Sequence, residues 1–167
     1  LVVTVAAVTL AVVVFATGDL PAGEARARFH GLMLLFAGSM LVTVTATDLA
    51  LLLMAWEVMG AMSYALIGFW WRDDERVGSA GIAFITTRAG DLGLYAAAGC
   101  AIAGAGSLSL SGMDNATSPW RDLIAAGIVV AALGKSAQLP FSFWLSWAMA
   151  GPSAVSALLH SATMVAA

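Results

Sequence analysis

Cysteine, lysine and proline are scarce in this chain: one, one and four residues among 167. A lone Cys100 cannot supply a disulfide, a CxxC redox pair, or a zinc or iron–sulfur site. Charged residues are 10% of the chain, against about 25% in globular domains, while hydrophobic residues reach 61%. With a mean hydropathy of +0.93, a soluble globular class is excluded and an integral membrane protein is expected. The alternating pattern of a membrane barrel is absent. The long apolar runs therefore predict an all-α, polytopic transmembrane helix bundle. No phosphate-binding glycine loop, metal cluster or nucleophile–base pair is present, so no cofactor is expected in this chain and no nucleic-acid partner. The net charge of −3 resides mostly in loops and says little. No basic segment precedes the first apolar run, so a cleaved signal peptide is not expected. Leu1 and Ala167 both lie inside apolar runs, the expectation for a piece of a longer protein.

The apolar runs predict one transmembrane domain with spans at 1–17, 29–46, 48–71, 79–103, 122–150 (broken at Pro140) and an incomplete one at 153–167. Thr45, Thr47 and Asp48 divide the long run from Phe29 to Trp71, with Asp48 placed to cap the third helix. Arg72 to Arg76 reads as a charged loop, and Gly104 to Trp120 as an exposed connection. Arg26 and Arg28 lie in the first loop and Arg72 and Arg76 in the third; the second has no basic residue and the fourth only Arg121. That alternation puts the first and third loops on one side, the cytoplasmic one.

The only lysine, Lys135, follows the apolar run from Leu123 to Leu133. It lies roughly 20 Å into a helix that starts at Asp122, near the middle of a hydrocarbon core about 30 Å thick. An ammonium there costs roughly 2.5–3.5 kcal/mol on insertion scales, so a partner or a water-filled cavity is required. Pro140 breaks the helix and is expected to free the carbonyl of Ser136. A second break at Gly151-Pro152 leaves a half-helix of roughly 15 Å between them. Broken helices at membrane depth occur where protein or water satisfies the backbone, and a titratable group beside one marks an ion path.

Four more side chains are candidates. Glu57, well inside the third helix, is the acid available at similar depth, and pairing with Lys135 is expected. Such a pair either only ties two helices together or, because both groups titrate, exchanges a proton through small movements. Arg88 and Asp91 share one face of the fourth helix at i and i+3. They either neutralise each other locally or let Asp91 modulate the Glu57–Lys135 pair. His160 follows the broken helix, and imidazole carries protons near neutral pH. His30, at a loop edge, reads as interfacial, and Trp56, Trp70, Trp71, Trp120, Trp144 and Trp147 as packing or interface anchors.

Several motifs then stand together. Trp56-Glu57-Val58-Met59-Gly60, followed by Ser63 to Phe69, resembles a helix motif of the antiporter-like subunits of respiratory complex I. Thr87-Arg88-Ala89-Gly90-Asp91 is similar to a motif of the L subunit in particular. Gly134 to Pro140, Gly151-Pro152 and Val155 to Val165 match its broken helix and the helix after it. The resemblance covers nearly the whole chain and implies a segment from roughly the third to the eighth helix. It implies a channel glutamate at Glu57, a pumping lysine at Lys135, modulating charges at Arg88 and Asp91, and a link to a second half-channel at His160. Ser142, Ser146, Trp147 and Ala154 depart from the pattern; Trp147 stands where the family has an acid. The implied function is proton translocation within an NADH:quinone oxidoreductase, with quinone reduction elsewhere in the complex. Other membrane subunits and the bilayer are the implied partners, and the inner membrane of a bacterium the location. The alternative is the large subunit of a multisubunit cation/proton antiporter, which would move Na+ as well as protons. The Arg88–Asp91 motif favours the first. A non-conducting scaffold is disfavoured by Glu57, Lys135 and His160.

Overall fold

The computed structural model describes residues 1–21 and 23–160. These form the helices α1 (Val2–Asp19), α2 (Arg26–Thr45), α3 (Leu49–Ile67), α4 (Asp74–Ala105), α5 (Trp120–Lys135), α6 (Trp144–Ala148) and α7 (Ser153–His160), with a 3-10 turn at Leu110–Asn115. The expected all-α bundle is observed. α1, α2 and α3 are each long and apolar enough to cross a membrane. At about 1.5 Å per residue the 32-residue α4 runs to about 48 Å, longer than a bilayer core. It is also the spine of the bundle, packing against α3, α5 and α6.

The ends of the helices follow from local chemistry. The Asp48 carboxylate accepts from Leu51 N–H at 2.8 Å, the cap expected for α3. α4 begins five residues before the expected start at 79, because Asp73 caps it by accepting from the N–H groups of Glu75 and Arg76. The acids that resembled a loop, Asp74 and Glu75, occupy its first turn, where they suit the helix dipole. α3 closes at Gly68 rather than at Trp71, and α4 ends on Gly106 in the left-handed region, φ 66°.

The break in α5 falls earlier than expected. Its last helical residue is Lys135, not Leu139. Pro140 drives the preceding residue out of helical geometry, and the chain leaves the helix in a Schellman-type closure. Gln138 N–H bonds Leu133 C=O at 3.0 Å, and Ala137 takes the left-handed position at φ 52°. Three of the last carbonyls of α5 find donors beyond the helix. Ala132 accepts from Ser136, Leu133 from Gln138, and Gly134 from the indole N–H of buried Trp144 at 2.9 Å. The Ser136 carbonyl lies beyond the helix and receives only the Gln138 amide at 3.4 Å. A left-handed alanine costs roughly 1 kcal/mol relative to glycine. Ala137→Gly should therefore raise the thermal midpoint of the detergent-solubilised protein; a lower midpoint would show that the closure does not limit stability.

Arg26 and Arg28, expected in the first loop, lie in the first turn of α2, and Arg76, expected in the third, lies in α4. Arg28 donates to Phe69 C=O at 2.7 Å and Trp70 to Glu24 at 3.2 Å, placing the first and third connections together. Elsewhere, the connection after α4 is pinned to the α2–α3 turn by Leu49 N–H to Leu108 C=O (2.8 Å) and Leu110 N–H to Thr47 C=O (3.0 Å).

Candidate functional site

The close approach of α4 and α5 decides which charges meet. A Cβ built on Gly90 would lie 2.8 Å from the Gly134 Cα, and one on Gly93 would collide with the Gly127 carbonyl. Small residues let membrane helices touch backbone to backbone. Asp91 and Lys135 each follow one of the touching glycines, Gly90 and Gly134, and their side chains meet beside that contact. Lys135 Nζ lies 3.5 Å from Asp91 Oδ2, with both side chains at 2% exposure or less. Lys135 is also in the last turn of α5, where the helix dipole favours a cation.

Arg88, one turn before Asp91, reaches α3. Its guanidinium forms an ion pair with Glu57 and donates to the Glu57 backbone carbonyl at 3.1 Å. The Arg88 Nε lies 4.0 Å from the same Asp91 oxygen that faces Lys135. Alternating charges thus run Glu57, Arg88, Asp91, Lys135, from partly buried to buried. The expected Glu57–Lys135 pair is not formed: Glu57 takes Arg88, and Lys135 takes Asp91. The reason is the glycine contact, which the apolar pattern does not reveal. Local neutralisation of Arg88 by Asp91 is the weaker contact, since each has a nearer partner on another helix.

Two residues read as packing belong to the site. Trp56 donates its indole N–H to Asp91 Oδ1 at 2.6 Å, and its ring centroid is 5.6 Å from Lys135 Nζ. Trp144 caps the Gly134 carbonyl beside the lysine. A buried indole N–H needs an acceptor, so Trp56, directly before a membrane acid, was a signal available in the sequence. Gly60 contributes by lacking a side chain: a Cβ there would sit 3.1 Å from Lys135 Nζ and 3.2 Å from Arg88 Nη2.

His160 is the last residue of α7, and its side chain lies outside the described residues. His30 holds Arg26 C=O at 2.8 Å near the start of α2, a local contact away from the charged row. Among the described residues no three His, Cys, Asp or Glu side chains converge as a metal site. The row brings two acids and two bases of alternating sign together at the α3–α4–α5 contact.

Comparison with known proteins places the chain in a family. Residues 46–167 match the family described as NADH:quinone oxidoreductase/Mrp antiporter, TM. NADH-quinone oxidoreductase subunit L of Mycobacterium tuberculosis is 38% identical over 92% of this chain and 25% of its own length. Subunit L of Escherichia coli is 41% identical over 86% of this chain and 25% of its own. The chain thus spans about a quarter of the curated relatives it matches. An Mrp complex from Dietzia sp. has a chain of similar structure, TM-score 0.84 at 36% identity, covering 96% of this chain and 18% of that one. Respiratory complex I from Thermus thermophilus with bound aureothin gives 0.74 at 24% identity, over 91% and 36%, a likeness of fold. The chain is an integral membrane protein, and it belongs to the NADH:quinone oxidoreductase/Mrp antiporter transmembrane family.

Proposed function

We propose that this chain is the proton-translocating core of an L-type membrane subunit of a bacterial NADH:quinone oxidoreductase, in the inner membrane and assembled with other membrane subunits. The observation that carries the reading is the Lys135–Asp91 pair, buried at the end of a broken helix and 3.5 Å apart. Charge-assisted hydrogen bonds close to about 2.7–2.9 Å; at 3.5 Å the pair attracts without locking. Asp91 Oδ2 has a second cation, Arg88 Nε, at 4.0 Å. Arg88 remains charged throughout and is held from the other side by Glu57. When Asp91 leans toward Arg88, Lys135 loses its counter-charge and releases its proton. When Asp91 returns, Lys135 takes up a new proton from water. Glu57 governs the exchange through Arg88, and His160 receives the released proton. In this reading the first and third loops face the cytoplasm, and quinone chemistry occurs in other subunits.

The second reading, the large subunit of a cation/proton antiporter, rests on the likeness to the Mrp complex. The discriminating experiment uses the full-length protein assembled with its partners in sealed vesicles. NADH oxidation should drive proton uptake at a rate independent of Na+, and His160→Gln should assemble yet lose that uptake. Na+ transport driven by a pH gradient without NADH would favour the antiporter instead. Normal uptake by His160→Gln would leave water as the acceptor from Lys135.

A further inference from the structure

Asp91 has two oxygens, and they are treated differently. Oδ1 accepts from the indole N–H of Trp56 at 2.6 Å. Oδ2 faces Lys135 at 3.5 Å and Arg88 at 4.0 Å, and makes no hydrogen bond among the described residues. Trp56 is nearly buried, at 7% exposure, and its ring face also looks at Lys135, with Nζ 5.6 Å from the centroid. That is within the roughly 6 Å over which an aromatic face attracts a cation.

We propose that Trp56 is a positioning residue for proton transfer: its N–H pins one oxygen of Asp91 so that the other is shared between Lys135 and Arg88, and its ring gives the lysine a second station. The inference deepens the reading above and rests on it. Without the indole bond, Asp91 is free to turn both oxygens to the ammonium, and the pair closes into one state. With Oδ1 pinned, the carboxylate pivots about that bond, and a small swing moves Oδ2 from one cation to the other. Only tryptophan supplies both parts. Phenylalanine has the ring face without a donor, and the tyrosine hydroxyl lies at the far end of its ring. Gly60, one turn on along the same face of α3, completes the site by leaving room for the Lys135 and Arg88 head groups.

The test is NADH-driven proton uptake across a range of pH by the assembled full-length complex in vesicles. The charged groups that face Trp56 or its partners are Glu57 from α3, Arg88 and Asp91 from α4, and Lys135 from α5, and each is left in place. Trp56→Phe should slow uptake by about tenfold, the scale of one charge-assisted hydrogen bond. It should also displace the pH of half-maximal uptake. Incorporating the benzothienyl analogue of tryptophan at position 56 keeps the shape and the ring face but removes the N–H. It should reproduce the loss, and it decides the matter where Trp56→Phe assembles poorly. An assembled analogue complex with the rate and pH profile of the unmodified protein would overturn the inference. Lys135→Ala is run in parallel. If it too takes up protons normally, the proton-translocation reading fails; if it is inactive while the analogue is unaffected, only the role of Trp56 fails.

Discussion

Asp91→Ala is expected to abolish proton uptake and to destabilise the assembled protein by about 3–5 kcal/mol, the scale for breaking a buried ion pair from one side. Asp91 is 1% exposed, and its removal leaves the Lys135 ammonium without a counter-charge and the Trp56 N–H without an acceptor. Asp91→Asn should be milder in stability, since an amide oxygen still receives the indole, but should also fail in uptake. Glu57→Gln provides the contrast. Its partner Arg88 is 26% exposed and keeps the Glu57 backbone carbonyl at 3.1 Å, so water and backbone offset much of the loss. About 1 kcal/mol is expected, with slowed rather than abolished transport. Thermal denaturation in detergent together with vesicle uptake ranks the two. The opposite ranking, with Glu57→Gln the more damaging, would mean that Lys135 depends on Glu57 after all.

The second large effect concerns the helix crossing. Gly134→Leu should prevent assembly, because the obstacle is backbone: a Cβ at Gly134 already lies 2.9 Å from the Gly90 Cα. Overpacking commonly costs about 1–3 kcal/mol where side chains yield. Here α4 and α5 must separate, and with them Asp91 and Lys135. Gly99→Ala is the control, since a Cβ at that position meets nothing within 4 Å. The measurement is the amount of assembled complex in membranes. Wild-type levels for Gly134→Leu would show that the crossing does not set the geometry.

Much of this fold was legible because hydrophobicity, caps and breakers act locally. Asp48 announced the start of α3, and Pro140 and Gly151-Pro152 the interruptions, although the half-helix expected between them is helical only at Trp144–Ala148. The errors lie where a local rule had a competitor. The charges of Asp73 to Arg76 looked like a loop, but Asp73 caps a helix whose first turn welcomes Asp74 and Glu75. Pro140 marked a break, but the closure through Ala137 placed it four residues earlier, at the lysine itself. The site's members, Glu57, Arg88, Asp91 and Lys135, were identifiable as costly charges at membrane depth. Their pairing was not. Depth along a helix ranks possible partners, whereas Gly90 against Gly134 fixes azimuth and separation, a tertiary contact that the apolar pattern does not encode. Trp56 was missed for a different reason. Its bulk invites a packing role, and only the rule that a buried N–H needs an acceptor sends it to Asp91.

The most direct test of the central claim is the ratio of protons taken up to NADH oxidised in vesicles carrying assembled Lys135→Ala. If the buried lysine at the break of α5 is the carrier, this ratio falls below that of the unmodified complex while the complex still assembles. Residual NADH oxidation, where it persists, is not matched by uptake through this subunit. An unchanged ratio at an unchanged rate would contradict the account, because protons would then be crossing without the only lysine the chain possesses.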